Sequence, residues 1–102
     1  MYVMMTKVQL RAGTSDQCAE LFRRTNPAIV KQESDWLGAK MLFDAESNTI
    51  TVLASWKDLA AYEAMSTKPD FQNTTRQFSQ FFAGKPEITK NEVLVVMDPR
   101  SI

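Results

Sequence analysis

Few side chains in this sequence can do chemistry, and two of them stand six residues apart at a joint between elements. In ITVLASWKDLAAYEAM, from Ile50 to Met65, Trp56 closes a strand-like run and Tyr62 lies in the helix-like run that follows. An indole N–H and a phenolic O–H are donors carried on large apolar bodies, suited to holding a flat ring and its oxygens. The chain has no histidine and a single cysteine, Cys18. The usual general base near neutral pH is therefore missing, and Ser-His and Cys-His nucleophiles are excluded. The usual ligand sets for zinc and haem are also lacking, so no metal site is expected. There is no GxGxxG, P-loop or CxxC pattern. Any reaction must use Trp, Tyr, Arg, Lys, carboxylates or the reactivity of the substrate itself.

The same residues also read as packing, and at this point both readings stand. Trp56 ends an apolar strand, where a large ring fills a core or an interface. Tyr62 shares a helix face with Leu59 and Met65. Phe71, Phe78, Phe81 and Phe82 form a core stripe, part of which can wall a cavity. The six methionines suit irregular core space. Cys18, on an apolar helix stripe, reads as a buried thiol, and Asp70 as a helix cap.

The elements that must position these residues follow from periodicity and breakers. Tyr2 to Leu10 reads as a strand ended by Arg11-Ala12-Gly13. Thr14 and Gln17 have capping-box spacing, opening a helix with Cys18, Leu21, Phe22, Thr25 and Ile29 on one stripe. Pro27 is expected to kink or break that helix near Asn26. Trp36 to Phe43 and Thr49 to Trp56 read as strands joined by a polar turn over Asp44–Asn48. Asp58 caps a helix carrying Leu59, Tyr62 and Met65, and Lys68-Pro69-Asp70 interrupts it. A third helix carries Phe71, Thr74, Phe78, Phe81 and Phe82 and stops at Gly84 and Pro86. Glu92 to Met97 is the expected last strand, with a loose tail after Asp98.

The order β-α-β-β-α-β, with the second helical segment split, is an α+β, ferredoxin-like arrangement: an antiparallel sheet with helices on one face. At 102 residues the chain is expected to be one domain, with an ordered core over about residues 1–98. Twelve basic and twelve acidic residues cancel, and no basic stripe offers an electrostatic footprint for nucleic acid. No apolar run approaches the roughly 20 residues that span a bilayer, and MYVMMTKVQL lacks the pattern of a signal peptide. With one cysteine, these features place the protein in the cytoplasm. The runs ITVLASW and VLVVM are apolar on both faces, whereas helices can cover only one. A bare face carrying Leu53, or else Val52, would be a large exposed apolar patch. A symmetric homodimer packing sheet against sheet is the expected remedy.

The pattern resembles the antibiotic biosynthesis monooxygenase (ABM) family of dimeric α/β barrels. The residues that carry the resemblance are the opening strand ending in RAG, the stretch SDWLGAKMLFD before the hairpin, and SWKDLAAYEAM followed by KPDFQNTTRQF. The resemblance independently implies the homodimer. In the haem-degrading branch, the asparagine, tryptophan and histidine of the site fall on Thr6, Met65 and Thr75, and none matches. In the branch resembling polyketide-oxidising monooxygenases, the strand-end tryptophan and the tyrosine six residues later match Trp56 and Tyr62. An arginine of the third helix falls on Arg76 when counted from Trp56, and on Thr75 when aligned on Pro69. An asparagine four residues before the tryptophan is replaced by Val52, which removes a donor. A histidine found after the proline in quinol-oxidising members is Asp70 here. The resemblance thus implies Trp56, Tyr62 and Arg76 as catalytic groups, with Thr6, Val52, Met65, Thr75 and Phe78 around the substrate. It implies a cofactor-independent monooxygenase that oxidises a small aromatic, quinol or polyketide-like molecule with dioxygen. Trp56 and Tyr62 would orient the ring, and Arg76 would stabilise an ionised substrate. The alternative is a non-catalytic dimeric module that binds a small ligand or serves a stress-related role.

Overall fold

A computed structural model describes residues 1–102. The strands are β1 (Tyr2–Gln9), β2 (Trp36–Asp44), β3 (Thr49–Trp56) and β4 (Glu87–Glu92). The helices are α1 (Ser15–Val30), α2 (Leu59–Ser66) and α3 (Pro69–Phe78), and a 3₁₀ turn over Ser79–Phe81 extends α3. All strand pairs are antiparallel, in the order β2-β3-β1-β4. This is the expected α+β, ferredoxin-like arrangement.

Alternation along the central strands sorts the two faces of the sheet. Met4 and Val8 of β1 and Ile50 and Trp56 of β3 are buried beneath the helices. Val3 and Leu53 instead line a shallow groove with Leu37 and Lys40. Leu53, not Val52, therefore belongs to the uncovered face.

The helix ends differ in part from their sequence signals. Asp58 caps α2 as expected, its carboxylate accepting the Ala61 N–H at 2.9 Å. Thr14 makes no such cap; its hydroxyl donates instead to the Arg11 carbonyl at 2.7 Å. Asp70 lies in the first turn of α3, after Lys68 at the cap and Pro69 at the first helical position. Helix α1 runs through Pro27 to Val30 without a break. The ring costs one backbone bond, but Cys18, Leu21 and Val30 are buried along the helix and hold it in place.

The last strand is the main correction. It spans Glu87–Glu92, so Val93–Met97 lies outside the sheet despite its β-rich composition. The reason is register. Glu92 pairs with Tyr2, and Val93 N–H bonds the Met1 carbonyl at 2.9 Å. No residue of β1 remains to pair with the segment beyond. Leu94, Val95, Val96 and Met97 consequently stand 67–85% exposed. After them, Pro99–Ser101 forms a 3₁₀ turn capped by Asp98, where a loose tail is expected from sequence.

Candidate active site

The apolar core under the helices is in two parts. One is built on Val8, Leu10, Cys18, Leu21, Ile50 and Phe81. The other is built on Met4, Trp56 and Met65, with Trp36, Tyr62 and Phe71 packed against it. Between them on the sheet lies the directly paired Thr6 and Val52, one step from Met4–Ala54 and one from Val8–Ile50. Neither side chain is large enough to join the two parts. A cavity of about 130 Å³ occupies the gap, floored by the sheet and roofed by all three helices.

The structure brings seven of the eight expected site residues to this cavity: Trp56, Tyr62, Thr6, Val52, Met65, Thr75 and Phe78. Arg76 is not among them. It is exposed on α3, where the helical turn directs Thr74 and Thr75 to the cavity instead. The spacing counted from Trp56 is off by one residue because the irregular joint at Lys68 resets the helical phase.

Trp56 and Tyr62 meet as expected from their positions at the joint of β3 and α2. Their ring centroids are 6.0 Å apart with planes inclined at 59°. Trp56 is 1% exposed, and its indole Nε1–H has no hydrogen-bond partner in the protein. An orphan donor in a core costs about 1–3 kcal/mol, and the rule is that such groups are paired. Burial raises the Tyr62 phenol above its ordinary pKa, with Lys90 opposing and Glu63 adding to the effect. Tyr62 is therefore a protonated donor throughout the neutral range.

Sequence reasoning passed over Trp36, which also lines the cavity. Simple alternation back from Ala39, which faces the helices, puts Leu37 inside and Trp36 outside. A bulge between Trp36 and Gly38 reverses this: Gly38 pairs with Ser55, Trp36 pairs with Trp56, and Leu37 is turned out to 53% exposure. Gly38 at φ 127° permits the bulge. A glycine two residues after the strand's first tryptophan is its visible signal. From α1, Thr25 and Asn26 add polar groups, and the Thr25 and Thr75 hydroxyls donate to the carbonyls of Leu21 and Phe71 at 2.7 and 2.9 Å. None of the 18 lining residues is an Asp, Glu, Lys or Arg. Elsewhere, no three His, Cys, Asp or Glu side chains converge, and no helix is long and apolar enough to cross a membrane. Cys18 is fully buried, and burial pushes its thiol pKa up.

The sequence pattern of the antibiotic biosynthesis monooxygenase family matches residues 1–77. The chain belongs to this family. No curated protein matches the ABM chain closely. Solved structures share its fold at low identity. SnoaB, a cofactor-independent oxygenase from Streptomyces nogalater, aligns with TM-score 0.79 and 14% identity over 94% of this chain and 95% of its own. A structure described as an antibiotic biosynthesis monooxygenase gives TM-score 0.75 and 14% identity over 93% of this chain and 100% of that one. A conserved protein from Methanosarcina mazei Go1 gives 0.75 and 16% over 87% and 88%.

Proposed function

We propose that this ABM chain is a cofactor-independent monooxygenase that oxidises a small aromatic or quinol with dioxygen in the cavity between sheet and helices. One observation carries the proposal: Trp56 and Tyr62, packed 6.0 Å apart, stand at a mostly apolar cavity lined by no charged side chain. Tyr62 offers a substrate oxygen a protonated donor, and the Trp56 ring packs beside it. A donor in such a cavity positions a ring oxygen where little water competes for it. SnoaB, a cofactor-independent oxygenase on the same fold, supports the reaction type.

The lining also bears on the route. With Arg76 outside, an ionised substrate would have no counter-charge, and burying it would be costly. A neutral substrate instead passes an electron and a proton together to dioxygen. The ring radical and hydroperoxyl radical combine in a C–O bond, and loss of water leaves one oxygen atom on the substrate. Oxidation under ¹⁸O₂ tests this: the product gains one labelled atom and the water the other. Product oxygen drawn from solvent would contradict it.

One observation favours the second reading, a binding module: no side chain of the cavity is a base at neutral pH. Such a module would bind the same ligands and consume no dioxygen.

The proposal includes a homodimer. The chain exposes 7068 Å², where a folded monomer of its mass exposes about 5,800 Å². The excess, about 1,300 Å², exceeds the roughly 800 Å² per partner of a standard interface. The uncovered sheet face and the Val93–Met97 segment supply that surface. A cytoplasmic location goes with this reading, in keeping with a chain whose single cysteine forms no internal disulfide.

A further inference from the structure

We infer that the cavity selects a neutral ligand of one aromatic ring; this rests on reading the cavity as the substrate site. Size is the first argument. The cavity measures about 130 Å³, close to the roughly 150 Å³ apolar cavity that accommodates one benzene molecule. Its two ends are not free to retreat. The buried group of Met4, Trp56 and Met65 closes one, and the buried group that includes Val8, Ile50 and Phe81 backs the other. A fused second ring would have to displace one of these closely packed groups or project through the open side of the cavity into solvent.

Charge is the second argument. Thr6, Thr25, Asn26, Thr74 and Thr75 are the polar residues of the lining besides Tyr62 and the tryptophans, and all are neutral. A carboxylate or phosphate on the ring would be buried without a cation. Hydroxyl, keto and methyl substituents meet matching groups.

The third argument fixes orientation. Tyr62, the phenol of the lining, stands beside Trp56 at one end, so the ring oxygen belongs at the Trp56–Tyr62 end. The Thr6–Val52 pair lies two residues along the strands from Tyr2–Trp56 by way of Met4–Ala54, and then two more. At about 3.3 Å per residue, the floor from Met4 to Thr6 is about as long as one ring with its substituents. Val52 thereby sets the far limit of the ligand.

Anaerobic titration calorimetry tests this with three probes near neutral pH. They are methylhydroquinone (one ring, neutral), 2,5-dihydroxybenzoate (one ring, anionic) and anthrone (three fused rings). Methylhydroquinone is expected to bind saturably, with the other two at least tenfold weaker. Val52→Phe, checked for folding by its thermal transition, is expected to weaken methylhydroquinone at least tenfold. Anthrone or dihydroxybenzoate binding as tightly as methylhydroquinone would overturn the inference, as would no saturable binding of methylhydroquinone. If Val52→Phe does not fold, the three-probe comparison on the unaltered protein decides. Dioxygen uptake, measured separately, keeps the two readings apart. Methylhydroquinone binding without uptake supports the size and charge inference and removes the oxygenase reading. Uptake with anthrone, without methylhydroquinone binding, does the reverse.

Discussion

Trp36 and Trp56 are directly paired across β2 and β3, and both face the same cavity because a bulge at Gly38 turns Trp36 inward. The two tryptophans of the chain thus share one wall, with Tyr62 packed 6.0 Å from the second. The arrangement is made by a local backbone irregularity and not by strand alternation.

Gly38→Ala tests the bulge. No atom of the same chain lies within 4 Å of the position a Cβ would take, so within one chain the cost is that of a φ of 127°. A loss of about 1–3 kcal/mol is expected, with a change in tryptophan fluorescence as Trp36 loses its place. Chemical denaturation of both proteins measures the first, and emission spectra the second.

Trp56→Phe tests the orphan donor. In the free protein the indole N–H bonds nothing, so the variant loses packing but no hydrogen bond. A loss of about 1–2 kcal/mol is expected, against about 3–5 for Trp56→Ala. Ligand affinity should fall about tenfold, as the smaller ring loosens the wall beside Tyr62 that orients the ligand. Thermal unfolding and calorimetric titration together check the split between stability and binding.

Much of this was legible in the sequence. Trp56 and Tyr62 could be placed together because a strand end and a capped helix start fix their spacing, and Asp58 caps as its type demands. Thr6, Val52 and Met65 fall on the cavity because strand and helix periods carry them there. Arg76 fails because a short break sets helical phase, and one residue moves a side chain about 100° around a helix. Trp36 fails because bulges reverse alternation. VLVVM reads as a strand because its composition is that of one; only the start of β1 at Tyr2 shows that no partner strand remains.

The pH dependence follows from Tyr62. Burial, chiefly, raises its folded-state pKa, whereas the unfolded chain ionises near pH 10. The sign is then fixed. The Tyr62 contribution to stability is constant below about pH 10 and declines as pH rises beyond it, because the unfolded state releases its proton first; the buried Cys18 thiol adds a decline of the same sign that begins at about pH 8.5. Tyr62→Phe should flatten the Tyr62 part of that alkaline decline. Between about pH 6 and 9, binding of an uncharged ligand should be constant, since the lining contains no group that titrates there. Denaturation midpoints and calorimetry across the range check both.

Removal of residues 93–102 tests the dimer. The intact chain is expected to sediment at about twice its 11.6 kDa mass. The shortened chain, lacking the exposed Leu94–Met97 segment, should shift toward the monomer at micromolar concentration. A monomeric intact chain in sedimentation equilibrium would contradict the proposed assembly.

The central claim is that the cavity performs an oxidation, and dioxygen consumption by metal-free protein with methylhydroquinone tests it most directly. Uptake should exceed the spontaneous rate, fall at least tenfold in Tyr62→Phe and Trp56→Phe, and stay within twofold in Arg76→Ala, whose side chain lies outside the cavity. Uptake no faster than the buffer background, or uptake unchanged by the first two substitutions, would contradict the claim and leave the two rings as the wall of a binding site.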